Sequence, residues 1–433
     1  MLPDNFLKLL LIVILINTIT FAQTLTNSPY SRYGIGDIID NNSAQSQAMG
    51  GLDEALQYSA WINYTNPASY SSFELTTFQT GAKISQTEQS SNTLKQKIRN
   101  GNMTSLALAF PLKRGWGMSF GLLPYSSVGY AMSTVSTTAQ NEEISYVYNG
   151  SGGLNRIYLG SGIQPFSGKP DSSWLKGFSI GFNVAYLFGS MNYERRAIFT
   201  TATSNYYYNL REINIYNLSD FYFDYGLQYK THLSKKWLLQ SGFTLSPSTK
   251  INGKHSGLAQ TYYLSNGIEY PKDTVNNFDN QKGSVTLPSR LGIGIQLNFS
   301  DKIAFGIDYK TQNWKNFKAF DTNDNLKNSQ SISIGAQFIP NPANGRGFWQ
   351  HVQYRAGVNY ASTYLSINST QLLQQSVSIG AGFPIIKSLS TLNIALQYGN
   401  RGTLENNLIK EKFYAITLGL SFSDKWFIKR KFD

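Results

Sequence analysis

From Ser72 to Asp424 the chain repeatedly alternates apolar and polar residues, and that rhythm limits what it can fold into. In Leu291–Phe299 the residues Leu291, Ile293, Ile295, Leu297 and Phe299 share one face, opposite Gly292, Gly294, Gln296 and Asn298. Leu392, Ile394, Leu396 and Tyr398 repeat the pattern against Asn393, Ala395 and Gln397. Near the C-terminus Tyr414, Ile416, Leu418, Leu420 and Phe422 alternate with Ala415, Thr417, Gly419 and Ser421. Strand side chains point to opposite faces in turn, so each run makes a strand with one apolar and one small or polar face. A half-buried soluble sheet alternates in the same way, so length and loop rhythm must discriminate.

The strand candidates span 72–87, 102–112, 115–132, 152–165, 176–196, 217–233, 236–252, 287–299, 302–315, 329–339, 349–366, 373–385, 389–401 and 410–424. Each reaches the length of about 9–11 residues that a tilted membrane strand needs, whereas soluble strands average about 5–6. Tight turns follow candidates 2, 6, 8 and 12, at Lys113-Arg114, Ser234-Lys235, Ser300-Asp301 and Ile386 to Ser388. Polar connections follow candidates 1, 3, 5, 7 and 9, the longest running from Gly253 to Thr286. Longer even-to-odd connections, Ser167 to Leu175 and Pro340 to Phe348, depart from the rule. Short turns at one end and long loops at the other mark outer-membrane barrels, and closure leaves no edge strand unpaired in lipid. The expected fold class is all-β, a 14-stranded antiparallel transmembrane β-barrel.

Composition agrees. Charged residues are 14 %, aromatics 14 %, Cys is absent and Gly numbers 37, which suits barrel walls with aromatic girdles and excludes disulfides or thiolate metal sites. Lys8, the apolar run Leu9 to Ile16 and the small residues Thr20 and Ala22 read as a signal peptide cleaved before Gln23, too short to span a bilayer as a helix. The expected layout is a signal peptide over 1–22, an N-terminal periplasmic or hatch segment over 23–71, a barrel over 72–424 and a basic-aromatic periplasmic tail over 425–433. The expected site is the Gram-negative outer membrane, in contact with its lipid. The net charge of +12 is dispersed, without a nucleic-acid-binding module, so no nucleic-acid partner is expected.

Gln45–Ser71 is the sizeable mature stretch that does not alternate. It combines a Met49-Gly50-Gly51 turn, a helix-competent run from Leu52 to Gln57, and Asn66-Pro67-Ala68, whose proline lacks a backbone donor. It cannot be a membrane strand, and it suits a plug inside the barrel. This Met-Gly-Gly turn followed by Asn-Pro-Ala resembles the start of the FadL-type outer-membrane transporters of hydrophobic compounds. The resemblance implies an N-terminal hatch at Met49, Gly50, Gly51, Asn66, Pro67 and Ala68 within a fourteen-stranded barrel.

Pro124 interrupts the third candidate strand at Leu122-Leu123-Pro124, where a bulge or kink is expected. The resemblance implies an inward kink there that opens the wall for lateral exit, and the plainer alternative is a strand ending at the outer rim. Arg156, Asp224, Arg290, Asp308, Lys310 and Arg355 fall in phase with the polar faces and are expected to point into the lumen, since charges facing lipid cost about 2–4 kcal/mol near the midplane. They serve either a polar pathway with a carboxylate-binding group, or pairs with a hatch through Asp53 or Glu54.

Enzyme signals are poor. Gly117-Met118-Ser119-Phe120-Gly121 matches a nucleophile-elbow pattern but sits within an alternating strand, and His232, His255 and His351 lack metal-ligand spacing. No enzyme, metal or cofactor is expected. Two functions remain: passage of hydrophobic small molecules with lateral exit through the wall, or service as a partner subunit of an outer-membrane secretion or surface-assembly complex, as in the PorV-like relatives of type IX secretion. For the second, Tyr30 to Asp37 or the Lys425 to Lys431 tail is a candidate periplasmic docking arm.

Overall fold

A computed structural model describes residues 26–426, apart from 41, 138–141, 171–173, 200–206, 321–322, 343–346 and 386–387. The expected signal peptide and the tail from Phe427 onward lie outside the described residues. Fourteen long strands form the wall. They are β1 (Thr76–Ser90), β2 (Lys95–Lys113), β3 (Trp116–Thr137), β4 (Glu143–Ile163), β5 (Phe178–Phe199), β6 (Asn209–His232) and β7 (Trp237–Ser246). They continue as β8 (Arg290–Phe299), β9 (Ile303–Gln312), β10 (Ser329–Phe338), β11 (Gln353–Ile367), β12 (Thr370–Pro384), β13 (Thr391–Arg401) and β14 (Lys410–Asp424). Each pairs antiparallel with the next, and β14 returns to β1 in register from Asp424↔Thr76 to Lys410↔Ser90, which closes the ring.

Alternation sets the two surfaces. On β14 the side chains of Tyr414, Ile416 and Leu418 face outward and exposed, while Ala415, Thr417 and Ser421 are buried inside. Trp116, Trp237, Phe338 and Trp426 ring the short-turn end, and Tyr186, Tyr360, Tyr398 and Tyr414 ring the other. Two aromatic girdles around an apolar band identify the part of the wall that spans lipid.

Two expectations about the loops need correction. Several polar connections are continuations of the strands above the girdle: β1 and β2 run on as a ladder to Ser90↔Lys95 and turn through Ser91–Leu94. Gly253 to Thr286 is not a loop but a long outer hairpin, with arms Thr249–Ser265 and Ile268–Leu287 around an Asn266-Gly267 turn. Both turn residues have positive φ, as a two-residue hairpin turn demands. The first arm pairs with the upper part of β6, while β7 pairs directly with β8 below it. Both arms are solvated, so neither carries the apolar alternation that betrays a half-buried strand.

The chain before β1 lies among the inward side chains of the ring. It contacts β2 through Tyr64 and Ser105, β6 through Asn66 and Leu227, β9 through Asp53 and Asp308, β12 through Gly50 and Ser378, and β14 through Gln45 and Ser421. Among its described residues the α-helix is Ala44–Ala48, capped by Ser43, and not the expected Leu52 to Gln57. That run is irregular, with the amides of Asp53 and Glu54 both donating to the Asp308 carboxylate on β9, at 2.7 and 2.9 Å, and so not to a helix.

Candidate functional site in the lumen and at the seam beside Pro124

The Met49-Gly50-Gly51 turn closes the short helix. Met49 is its C-cap, and Gly50 and Gly51 take φ of +74° and +88°, the left-handed region that favours glycine. At Gly50 a side chain would also collide with the Val358 backbone of β11, and its amide donates to Ser378 Oγ at 3.1 Å. Asn66 caps the 3-10 turn Pro67–Ser72 by accepting from the Ala68 amide, and its side-chain amide donates to the carbonyls of Glu54 at 2.7 Å and Leu227 at 3.3 Å. Pro67 is thus at the first position of a helical turn, where its missing donor costs nothing. The wall receives this turn on glycines: Gly162 and Gly181 abut the Pro67 backbone, Gly226 abuts Asn66, and Gly117 abuts the Tyr70 carbonyl.

The six wall charges expected to face the lumen do so, and they fall into three groups. Arg156 and Asp224 pair with each other at 3.1 Å between β4 and β6, both nearly fully buried. Lys310 reaches Asp53 at 2.6 Å and the Gly51 carbonyl at 3.1 Å, Arg290 stands 3.6 Å from Glu54, and Asp308 caps the amides already described. These three therefore tie β8 and β9 to the N-terminal segment. Among the described residues Arg355 meets no carboxylate but the amide side chains of Gln337, Asn393 and Gln353. Glu54 itself is fully buried, and burial pushes its carboxyl above the ordinary range, with Asp53 adding to the shift against Lys310 and Arg290.

Pro124 lies at a bulge. The β3–β4 register shifts between Pro124 and Ser126 while that ladder continues to Thr137↔Glu143. On the other side the β2–β3 ladder stops at Leu106↔Leu122. From Leu123 to Tyr130 the side chains of β3 are buried, Tyr125 partly, on both faces, so this part of the strand has turned into the lumen. The wall is therefore split between β2 and β3 above that last rung. Met103, on β2 above the rung, is outward and half exposed, which puts the start of the seam within the apolar band.

A strap from the N-terminal segment covers the β3 side of the seam. Asp37 and Ile38 pair with Ser127 and Ser126, the Ile39 amide donates to the Tyr125 carbonyl, and Ser31 Oγ bonds both polar groups of the Gly129 backbone. Arg401 on β13 holds the strap, reaching Asp37 and Ser28 at 2.8 Å and Glu411 of β14 at 2.7 Å. Tyr30 lies beneath the same guanidinium and bonds the Ile409 backbone. The Tyr30 to Asp37 stretch is thus packed at the long-loop end of the lumen and is not a free periplasmic arm. Sequence reading missed this latch: Arg401 and Asp37 stand 364 residues apart, and neither belongs to a local motif.

Tyr64, Tyr70, Leu123, Leu154, Leu187 and Tyr222 belong to one buried apolar cluster. A void of about 370 Å³ beside it has a mixed lining: Lys83, Asn100, Arg290, Lys310, Asp37 and Asp40 contribute polar groups, and Ile38, Tyr364 and Leu365 bring the edge of the apolar cluster to it. It reaches both sides of the seam, at Met103 and Thr104 on β2 and at Pro124 and Ser127 on β3. Ser119 of the Gly-x-Ser-x-Gly match bonds the Tyr158 hydroxyl and the Leu108 carbonyl inside the wall, with no histidine beside it. His255 stacks on Tyr216 in the outer hairpin, and among the described residues no His, Cys, Asp and Glu groups assemble a metal site.

Known structures share this architecture. The Pseudomonas putida toluene transporter TodX superposes with a TM-score of 0.57 at 17 % identity, covering 90 % of this chain and 99 % of that one. The Ralstonia pickettii toluene transporter TbuX gives 0.55 at 14 %, covering 88 % and 98 %. A Pseudomonas aeruginosa FadL homologue gives 0.52 at 10 %, covering 89 % and 99 %. These likenesses establish a FadL-type channel fold and carry nothing about cargo. No curated protein sequence matches the chain. The sequence pattern that matches is the BamG family's, over residues 6–433, so a barrel whose wall is that of the outer-membrane hydrocarbon channels is, by sequence, a member of the BamG family.

Proposed function

We propose that this barrel is a partner subunit of an outer-membrane protein assembly, and that its lumen is a scaffold rather than a conduit for hydrophobic molecules. The observation that carries the reading is the share of the interior given to polar groups. A site for an apolar compound is a largely apolar void with a few polar groups, whereas here a large apolar cluster is buried and about half of the lining of the void beside it is amides, hydroxyls and charges. The outer hairpin adds support. Glu269 is clamped by Arg196 at 2.5 Å and Arg211 at 3.0 Å, and beside it Tyr263, Leu264, Ile268 and Tyr270 stand exposed beyond the membrane girdle. Exposed apolar groups on a braced, solvated sheet suit contact with another protein. Extraction of the native membrane in mild detergent tests the reading: the barrel is expected to migrate as part of a complex of defined composition. Migration as a lone barrel under conditions that keep other membrane complexes intact refutes it.

The split wall favours a second reading, passage of hydrophobic small molecules with sideways exit at Pro124. It predicts that cells carrying the barrel take up toluene or a similar monoaromatic faster than cells lacking it, and that Pro124→Ala slows the uptake. Equal uptake with and without the barrel excludes it.

A further inference from the structure

We propose that the seam between β2 and β3 admits the phosphate-bearing headgroup of a membrane lipid into the cavity behind it, while the acyl chains remain in the bilayer. The inference is independent of whether the barrel is an assembly subunit or a transporter.

An open sheet edge in hydrocarbon is tolerated only where its polar groups meet protein or water. The strap satisfies β3 from Tyr125 to Gly129, but among the described residues β2 has no ladder partner facing β3 above Leu106. The void behind that edge offers both polar groups, Lys83, Asn100 and Asn102 among them, and apolar ones, and it opens at the depth of the outward Met103. A wholly apolar ligand entering there would strand the polar part of the lining, and a wholly polar one would have to cross the acyl chains. An amphiphile meets both conditions, with its head inside and its chains outside.

The lining names the head. Lys83 points into the void from β1 and has no hydrogen-bond or ion-pair partner among the described residues, whereas Lys310 and Arg290 are committed to Asp53 and Glu54. The carboxylate whose charge bears on Lys83 is Asp40, which is itself exposed to the cavity. Ser127 lines the void at the seam, is 1 % exposed, and its hydroxyl has no partner among the described residues. An unpaired lysine and an unused hydroxyl beside a lateral opening suit phosphate oxygens, which accept charge-assisted hydrogen bonds.

The test uses the full-length barrel purified in detergent. Native mass spectrometry is run after incubation with phosphatidylethanolamine, phosphatidylglycerol or lipopolysaccharide, and separately with glycerol 3-phosphate. One lipid per barrel is expected to survive, and the species retained tells whether the source is a phospholipid or lipid A. Lys83→Met is expected to lower retention about tenfold, the loss of one charge-assisted contact, and Lys83→Arg to restore it. Heat-modifiable migration on a gel confirms that each variant is a folded barrel. The proposal is overturned if no lipid is retained in stoichiometric amount, if Lys83→Met retains it as well as the parent, or if glycerol 3-phosphate binds as tightly as the lipids.

Discussion

Lys310 on β9 carries its ammonium 2.6 Å from the Asp53 carboxylate, so a wall strand and the N-terminal segment are joined by an ion pair inside the lumen. The pair is nearly dry, with 15 % and 6 % of the two side chains exposed. Removing one partner of such a pair leaves an uncompensated charge and costs about 3–5 kcal/mol. Lys310→Met should therefore loosen the segment while leaving the wall ladder intact. Hydrogen exchange of the Gly50 to Ala55 amides should accelerate, and adding Asp53→Asn should recover part of the protection. Unchanged exchange in the single variant would show that the pair does not hold the segment.

Glu54 gives the seating a pH dependence. Its carboxyl is raised above the ordinary 4.5 by burial first and then by Asp53, while Lys310, Arg290 and the Thr244 hydroxyl oppose. The folded state thus binds this proton more tightly than the unfolded state does. The contribution is fully present below pH 4.5 and is lost as pH rises through the raised value. Amide protection of the segment should be greater near pH 5 than at pH 8. Glu54→Gln keeps an acceptor for Thr244, which donates at 2.6 Å, and should flatten the difference. A profile that rises with pH would contradict the assignment.

Gly181 of β5 meets the Pro67 backbone so closely that any β-carbon would collide with it. Overpacking of this kind costs about 1–3 kcal/mol. Gly181→Ala should displace the Pro67–Ser72 turn and make the segment a protease target before the barrel itself unfolds. Gly168→Ala, which has nothing within 4 Å, should cut at the parental rate. Equal sensitivity of both would mean that the close approach has no energetic role.

How much of this was legible follows from where each signal is stored. The wall strands declare themselves because lipid demands apolar residues on one face, and Leu291 to Phe299 or Tyr414 to Phe422 can be read without any partner. The inward direction of Arg290, Asp308 and Lys310 follows from the same phase. Their partners do not: Asp53 and Glu54 lie in a stretch without period, and only the fold shows that their amides are spent on Asp308. The outer hairpin was hidden because both its faces are wet, although Asn266-Gly267 marked its turn. Pro124 signalled a broken strand, but the strap that covers the break owes nothing to local pattern. Arg401 and Glu411 face each other across the β13–β14 hairpin, and Asp37 joins them only when the segment threads the ring.

That latch yields the sharpest test of the strap. Arg401 bridges Asp37 and Glu411, and Glu411 is 2 % exposed, so Arg401→Met takes the countercharge from two carboxylates and leaves them to the neutral donors Thr26, Ser28 and Gln89. The penalty, about 3–5 kcal/mol, falls on the weaker side of the bridge. Glu411 is fixed in β14 by a complete ladder, whereas Asp37 belongs to a two-residue pairing with β3. The strap should therefore detach and the ring should persist. The chain contains no cysteine, so a single Ile38→Cys substitution reports cleanly. A membrane-impermeant maleimide added to intact cells should label Ile38→Cys slowly with Arg401 in place and rapidly in the Arg401→Met background. Labelling at the same rate in both would show that strap and seam are held together by something other than Arg401.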